Sequence, residues 1–216
     1  MLPIVLKFRL MSMAAAGWTA ASSPVPLQAE AVATLFATHT AAPIELDLYD
    51  ENDHQKGHVA IWRDGSVDDP TRDEIKRLFR CRKTHREAMI HHRTLAMLAD
   101  VAERYPGKTI EYVSGVRLNR GESRTSPHRD ARAIDFRIRG VQLREIRDYL
   151  WRTYTEVGVG WYPVGQFVHI DARPTMSDCA WTFLNGTNHY HPTWSYLARK
   201  PDTEEPFMQA RRGAGS

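Results

Sequence analysis

Few of the features that mark a specialised class of protein occur in this chain. Its 216 residues contain two cysteines, Cys81 and Cys179, which are too few for a disulfide framework and show no CxxC spacing. One disulfide between them and two free thiols are equally compatible with the sequence. No run of about 18 apolar residues occurs, so no membrane-spanning helix is predicted. Internal repeats and low-complexity blocks are also absent.

Neither sign of charge is in large excess, since the formal net charge is +3. This balance permits an anionic partner such as a cell-wall polymer or nucleic acid, but it does not argue for one, and no nucleic-acid partner is predicted. Hydrophobic residues make up 42% of the chain and charged residues 25%, as in ordinary soluble globular proteins. A chain of this length suits one domain with tails and can bury a core. Composition leaves the oligomeric state open.

The two ends of the chain differ in composition from its middle. Lys7 and Arg9 precede the Ala-rich segment LMSMAAAGWTAASS, and small residues follow near LQAEA. Residues 1–30 are therefore predicted to be either a signal peptide of a periplasmic or secreted protein or a disordered leader of a cytoplasmic one. Residues 201–216 are polar and are predicted to form a flexible tail. The folded domain is expected within residues 44–200.

Hydrophobic periodicity between these ends switches between the strand and helix periods. The fold class predicted is α+β, with a mostly antiparallel sheet flanked by helices. The predicted elements are, in order, a hairpin over 44–65, helices over 68–80 and 86–105, strands over 108–115 and 133–138, a helix over 141–156 and a hairpin over 159–172. Gly158 is expected to cap the last helix.

The segment QFVHIDAR carries polar groups at strand spacing. Side chains alternate between the faces of a strand, so His169 and Asp171 share one face while Val168 and Ile170 point into the core. A hydrogen-bonded His–Asp pair on an exposed strand face would explain this pattern. A functional cleft is the alternative.

A second polar pair, His128 and Asp135, lies in TSPHRDARAIDFRI. A carboxylate in an apolar strand is costly unless a positive or hydrogen-bonding group meets it. Together with His169, these residues provide two imidazoles and one carboxylate, which is a ligand set that zinc accepts. A divalent cation would offset the desolvation of Asp135.

Four segments together resemble a known family. SPHRDARAID resembles the SxHxxGxAxD signature of the zinc peptidase superfamily that includes the D-Ala-D-Ala metallopeptidases, lysostaphin-type enzymes and the hedgehog domain. YVSGVR and VGWYPVGQFVHIDAR resemble further signatures of its YcbK-like branch, the murein endopeptidases of the MepK type. The segments keep the order of that branch, and the resemblance covers about residues 44–194.

The resemblance implies a hedgehog/D-Ala-D-Ala-peptidase-like fold and a zinc ion bound by His128, Asp135 and His169. It also implies that Arg117 contacts the substrate carbonyl and stabilises the developing oxyanion. Ser126 would either hold the His128 loop or hydrogen-bond the substrate. A salt bridge for Arg117 and a loop-capping role for Ser126 are the alternatives.

The chain departs from its relatives at the positions where they carry a proton-transfer group. Several relatives have an acidic residue where this chain has Gln166, and others have a histidine where it has Phe167. Asp171 is therefore predicted either to act as general base or to orient a ligand. Ala131 stands where the signature has glycine, which implies strain if that position requires positive φ. Tyr162 is expected to contact substrate or to pack in the core.

By this resemblance the chain is expected to be a zinc metallopeptidase that hydrolyses peptidoglycan stem peptides or cross-links with zinc-activated water. One rival is a carboxypeptidase or dipeptidase, for which Arg120, Arg124 or Arg129 could bind a terminal carboxylate. The other is a non-catalytic zinc-stabilised binding module, an idea that Gln166 favours.

Overall fold

Eight strands form one mixed sheet in the computed structural model of this protein, which describes residues 41–174 and 177–199. The leader predicted at 1–30 and the tail predicted at 201–216 lie outside these residues. The strands are β1 Ile44–Asp50, β2 Lys56–Ile61, β3 Ile110–Ser114, β4 Ala133–Ile138, β5 Val157–Tyr162, β6 Phe167–Ala172, β7 Cys179–Leu184 and β8 Thr187–Tyr190.

The strand order across the sheet is β2-β1-β3-β4-β6-β5-β7-β8. Neighbouring strands pair antiparallel except for β1 with β3 and β5 with β7, which are parallel. The predicted α+β class with a mostly antiparallel sheet is therefore confirmed. The two hairpins foreseen from sequence are β1–β2 and β5–β6.

Four helices are found in the described residues: α1 Asp69–Leu78, α2 His92–Arg104, α3 Leu143–Thr153 and α4 Thr193–Arg199. Within residues 41–174 and 177–199, no helix has the length and apolar character needed to cross a membrane. Helices α2 and α3 both contact β6, and so they cover the face to which Val168 and Ile170 point. Both of these residues are fully buried, as predicted.

Two predicted helix boundaries are wrong. Helix α2 begins at His92 rather than near residue 86, because the His91 backbone is not helical and its ring accepts a hydrogen bond from the Arg93 amide as an N-cap. Helix α3 ends at Thr153 with Tyr154 as its C-cap, so Gly158 does not cap it. Gly158 instead lies in β5, opposite Asp171 of β6.

The hairpin β7–β8 was missed by the sequence analysis, although its turn carries a strong signal. Asn185 and Gly186 both have positive φ, 52° and 78°, as a two-residue hairpin turn requires. Its strand β7 pairs with β5 and extends the sheet beyond the predicted strands. The hairpin matters because it supplies one wall of a cleft that lies over His128 and His169.

Ala131 occupies the loop just before β4 with φ 52°, which confirms the strain expected where the signature has glycine. Its amide lies 3.4 Å from the His128 carbonyl, and its own carbonyl accepts a hydrogen bond from His91. The loop that carries His128 thus depends on left-handed backbone at a residue with a side chain.

Replacement of Ala131 by glycine tests this strain. Relief of the left-handed penalty of about 1–2 kcal/mol should offset the lost methyl burial of about 0.8 kcal/mol and the higher unfolded-chain entropy. Ala131→Gly should therefore leave the free energy of unfolding within about 0.5 kcal/mol of the parent. Ala133→Gly, at a buried position in regular β4, should lose about 1–2 kcal/mol. Urea unfolding of both variants measures the difference, and equal losses would contradict the expectation.

Candidate metal centre

The three residues predicted as metal ligands converge at one buried point. Asp135 on β4 and His169 on β6 stand directly opposite each other in the antiparallel register. The distance from Asp135 Oδ1 to His169 Nδ1 is 2.8 Å, and His128 Nε2 lies 3.3 Å from the same oxygen. His128 Nε2 and His169 Nδ1 are 3.1 Å apart. These residues form the one cluster of metal-ligand geometry in the described part of the chain.

The outer nitrogen of each histidine has its own acceptor. His128 Nδ1 donates to the Gly115 carbonyl at 2.6 Å, and His169 Nε2 donates to Asp171 Oδ2 at 3.1 Å. These partners assign the proton of each neutral ring to its outer nitrogen. Two imidazole lone pairs and one carboxylate oxygen then face each other at the centre. Three acceptors at such distances repel each other unless positive charge lies between them, so the residues fit a bound cation.

The contacts within the cluster also set the pKa values of Asp135 and His169. Burial raises the pKa of the Asp135 carboxyl, but the neighbouring His128 and His169 rings outweigh it and hold that pKa far below its ordinary value. Burial lowers the pKa of His169, but its hydrogen bonds with Asp135 and Asp171 outweigh this and raise it to about 9. The cluster therefore favours positive charge at its centre, supplied by a proton or by a metal ion.

Asp171 lies on the far side of the His169 ring from Asp135. It is fully buried and also accepts a hydrogen bond from Arg173 Nη2 at 3.1 Å. Arg173 Nε is 2.8 Å from its other oxygen, an ion pair without hydrogen-bond alignment. Burial raises the pKa of Asp171, but the contacts with His169 and Arg173 bring it below its ordinary value. The strand face predicted to be surface or cleft is thus buried at this position.

Two glycines of β5 make room for this arrangement. A Cβ at Gly158 would lie 1.9 Å from Asp171 Oδ2, and a Cβ at Gly160 would lie 2.5 Å from the Trp181 ring. The register places Gly158 opposite Asp171 and Gly160 opposite His169. Glycine is therefore required at both positions, because the Asp171 carboxylate of β6 and the Trp181 ring of β7 occupy the space that a side chain would take.

Arg117 reaches the cluster from the loop after β3. Its Nη2 donates to Asp135 Oδ2, and its Nε donates to Ser114 Oγ at 2.7 Å. The backbone amide of Arg117 donates to the His128 carbonyl at 3.1 Å, so the two loop segments are tied together. The guanidinium is one-third exposed and borders the cleft above the cluster.

An open cleft of about 440 Å³ lies over the two histidines. Arg117, Ser126 and Tyr162 all border it, so the structure brings together the predicted substrate-binding residues. Tyr162 stacks on Phe167 with 4.4 Å between ring centroids, and its hydroxyl oxygen accepts a hydrogen bond from Trp181 Nε1 at 3.1 Å. Burial raises the pKa of this phenol.

Several residues that border the cleft were missed by the sequence analysis. Hairpin β7–β8 contributes Trp181, Asn188 and Tyr190, and Trp181 packs on His169 with ring centroids 4.9 Å apart. Glu122 and Arg173 also border the cleft. The Asn-Gly turn would have indicated the hairpin, whereas nothing in the sequence marks Glu122.

The other histidines of residues 41–174 and 177–199, together with Gln166, lie outside the cluster. Gln166 is exposed at the turn between β5 and β6, with φ 55°, and its amide donates to the Pro163 carbonyl. His189 and His191 are exposed residues in and after β8. His91 and His92 stack on each other at the start of α2, with 4.4 Å between ring centroids.

Two imidazoles and one carboxylate are a donor set that zinc accepts, and the comparisons with known proteins place the chain in a family of peptidases. Residues 38–177 match the family described as peptidoglycan L,D-endopeptidase MepK. The match covers well over half of the chain, and the chain belongs to that family. The resemblance to murein endopeptidases of the MepK type is therefore confirmed.

Individual relatives align over shorter stretches. The chain is 40% identical over 61 residues to the probable peptidoglycan L,D-endopeptidase MepK of Haemophilus influenzae, covering 28% of this chain and 32% of the relative. It is 35% identical over 77 residues to peptidoglycan L,D-endopeptidase MepK of Escherichia coli K12, covering 31% of this chain and 42% of the relative. The alignments thus span less than half of these curated relatives. No solved structure matches the chain.

A Gly158→Ala substitution tests how the outer contacts support the predicted metal ligands. The added methyl group would displace Asp171 from His169, and loss of such an outer partner typically lowers metal affinity about 10–100-fold. Gly57→Ala in β2 is the matched control, because its Cβ would meet only the flexible end of Leu78. Zinc affinity measured by competition with a chromogenic chelator should fall for the first variant and stay near the parent value for the second. Equal affinities would contradict the supporting role of Asp171.

Proposed function

We propose that this chain is a zinc-dependent peptidase that hydrolyses peptide bonds of peptidoglycan. The observation that carries the proposal is the buried His128–Asp135–His169 cluster at the floor of an open cleft, in a chain of the MepK family. The relatives from Haemophilus influenzae and Escherichia coli are peptidoglycan endopeptidases by name, which supports peptidoglycan as the substrate class. A peptidase of this kind works where peptidoglycan lies, so the proposal includes a periplasmic or secreted location.

The ligand set supports zinc as the bound metal. His128 Nε2, His169 Nδ1 and Asp135 Oδ1 would hold the ion, and two imidazoles with one carboxylate suit zinc in a site that keeps a position open for water. With zinc bound, the site gains a Lewis acid that lowers the pKa of water and polarises a carbonyl.

The cleft residues have distinct proposed roles around the scissile bond. Arg117 is anchored through Nη2 and Nε, whereas its Nη1 has no hydrogen bond to the described residues. This N–H group would donate to the substrate oxyanion. The Tyr162 hydroxyl, which already accepts from Trp181, keeps its own proton to donate to the substrate. Ser126 borders the same cleft, and its carbonyl accepts from the Arg129 amide at 3.0 Å, which supports the His128 loop.

Asp171 is proposed as a positioning residue. The sequence left two roles open for it, and its contact with His169 Nε2 on the side away from the cluster favours the orienting role. Its complete burial also separates it from the cleft. It would fix the orientation and tautomer of His169.

Metal content tests the proposed ligands. Purified full-length protein should contain about one zinc per chain, as a three-ligand site implies. His169→Ala should lose the bound zinc, because two ligands do not retain it against dialysis. His191→Ala is the matched control, since His191 is exposed and outside the cluster, and it should keep the parent zinc content. Elemental analysis gives both values, and zinc retained by His169→Ala would contradict the assignment.

Digestion of purified muropeptides tests the reaction. The zinc-loaded protein should convert cross-linked muropeptides to uncross-linked products, and a chelator should abolish the conversion because the site then lacks its Lewis acid. Mass spectrometry identifies the bond that is cut. Release of terminal residues alone would indicate a carboxypeptidase. Absence of any product, with zinc bound, would indicate a binding module and contradict the proposal.

A further inference from the structure

Hydrolysis of an amide requires a group that takes a proton from water and returns it to the leaving nitrogen. The carboxylates nearest the cluster do not provide one. Asp135 is committed to the cluster and to Arg117, and Asp171 is enclosed by His169 and Arg173. Gln166, at the position where several relatives have an acid, carries an amide that does not titrate.

Glu122 is the one carboxylate that borders the cleft in residues 41–174 and 177–199. Its side chain is 17% exposed, so it is sheltered but open to the cleft. Glu122 Oε1 lies 4.0 Å from Arg117 Nη1, while Nη2 of the same guanidinium contacts Asp135. One arginine therefore bridges the metal-binding cluster and this carboxylate.

The loop around Glu122 is held by hydrogen bonds. The Glu122 amide donates to the Asn119 carbonyl at 3.2 Å, which closes a turn. Arg129 Nη1 then donates to the carbonyls of Asn119 and Glu122, each at 3.4 Å. Arg129 directly follows His128, so the loop and a metal ligand are positioned together. The Glu122 carboxylate has no hydrogen bond to the described residues, which leaves both oxygens available.

We propose that Glu122 is the general base and acid of the peptidase, an inference that rests on the proposed function. Its carboxylate takes one proton from the attacking water as the water oxygen bonds to the carbonyl carbon. As the C–N bond breaks, Glu122 gives that proton to the leaving nitrogen. The new carboxylic acid loses the second water proton to the amine, so the products are a carboxylate and an ammonium group. Arg117 neutralises Glu122 between turnovers and stabilises the oxyanion.

Glu122→Gln tests the assignment with little change in shape. The zinc-loaded variant should cleave muropeptides about 100-fold or more slowly in kcat, as expected when a general base is removed. Its KM and zinc content should match the parent. Asp130→Asn is the control, because Asp130 is an exposed carboxylate of the same loop that pairs with Arg132. It should retain parent activity.

Proton uptake gives a readout that does not depend on turnover. Acetohydroxamic acid binds zinc as its anion, so its proton passes to a base in the site or to the buffer. Calorimetric titration in buffers of different ionisation enthalpy should show about one more proton released per binding event for Glu122→Gln than for the parent or Asp130→Asn. Glu122→Ala supplies a second test, because added formate should restore part of its activity.

The outcomes distinguish failure of the proposed role of Glu122 from failure of the proposed function. A parent protein that cleaves no muropeptide contradicts the proposed function. A parent that cleaves, with Glu122→Gln equally active or with unchanged proton release, overturns the role of Glu122 alone. Loss of zinc from Glu122→Gln would also overturn it, because the residue would then support the metal site rather than carry protons.

Discussion

The pairing of Asp135 with His169 across two adjacent strands is the interaction on which the site depends. Their side chains meet because β4 and β6 are antiparallel neighbours in a register that sets these two residues opposite each other. A shift of either strand by one residue would turn its own side chain, Asp135 or His169, to the helix-covered face. With His128 added from the loop before β4, three acceptor atoms lie together in a buried position, an arrangement that requires positive charge.

The surrounding residues hold these acceptors in place from behind. The Gly115 carbonyl and the Asp171 carboxylate accept hydrogen bonds from the outer nitrogens of the two imidazoles. Arg117 donates to the outer oxygen of the Asp135 carboxylate. Gly158 is part of the same arrangement, because the Asp171 carboxylate lies where a Cβ would be. The central geometry is thus set by backbone positions on three strands and one loop, and little of it depends on exposed side chains.

The chain departs from the family signatures at Ala131 and Gln166, and the structure gives each departure a different meaning. Ala131 accepts left-handed backbone with a buried methyl group, so the loop keeps its path at a cost in conformational energy. Gln166 lies exposed on a turn, and its amide contacts the Pro163 carbonyl. The only cleft carboxylate in the described residues, Glu122, comes from a different loop.

Sequence alone determined the elements whose signals are local. Alternation fixed which faces of β6 carry Val168 and His169, and the spaced signatures identified the three acceptor residues and the family. Helix ends were predicted less well. Glycine is a common helix C-cap, but Gly158 lies in strand β5 and the helix before it ends at Thr153. Tertiary structure alone decided that hairpin β7–β8 lies against β5, that Trp181 packs on His169 and that Glu122 borders the cleft. The first two contacts join separate strands of the sheet, and the position of Glu122 depends on the path of the loop between β3 and β4. No local pattern of polarity encodes either of these.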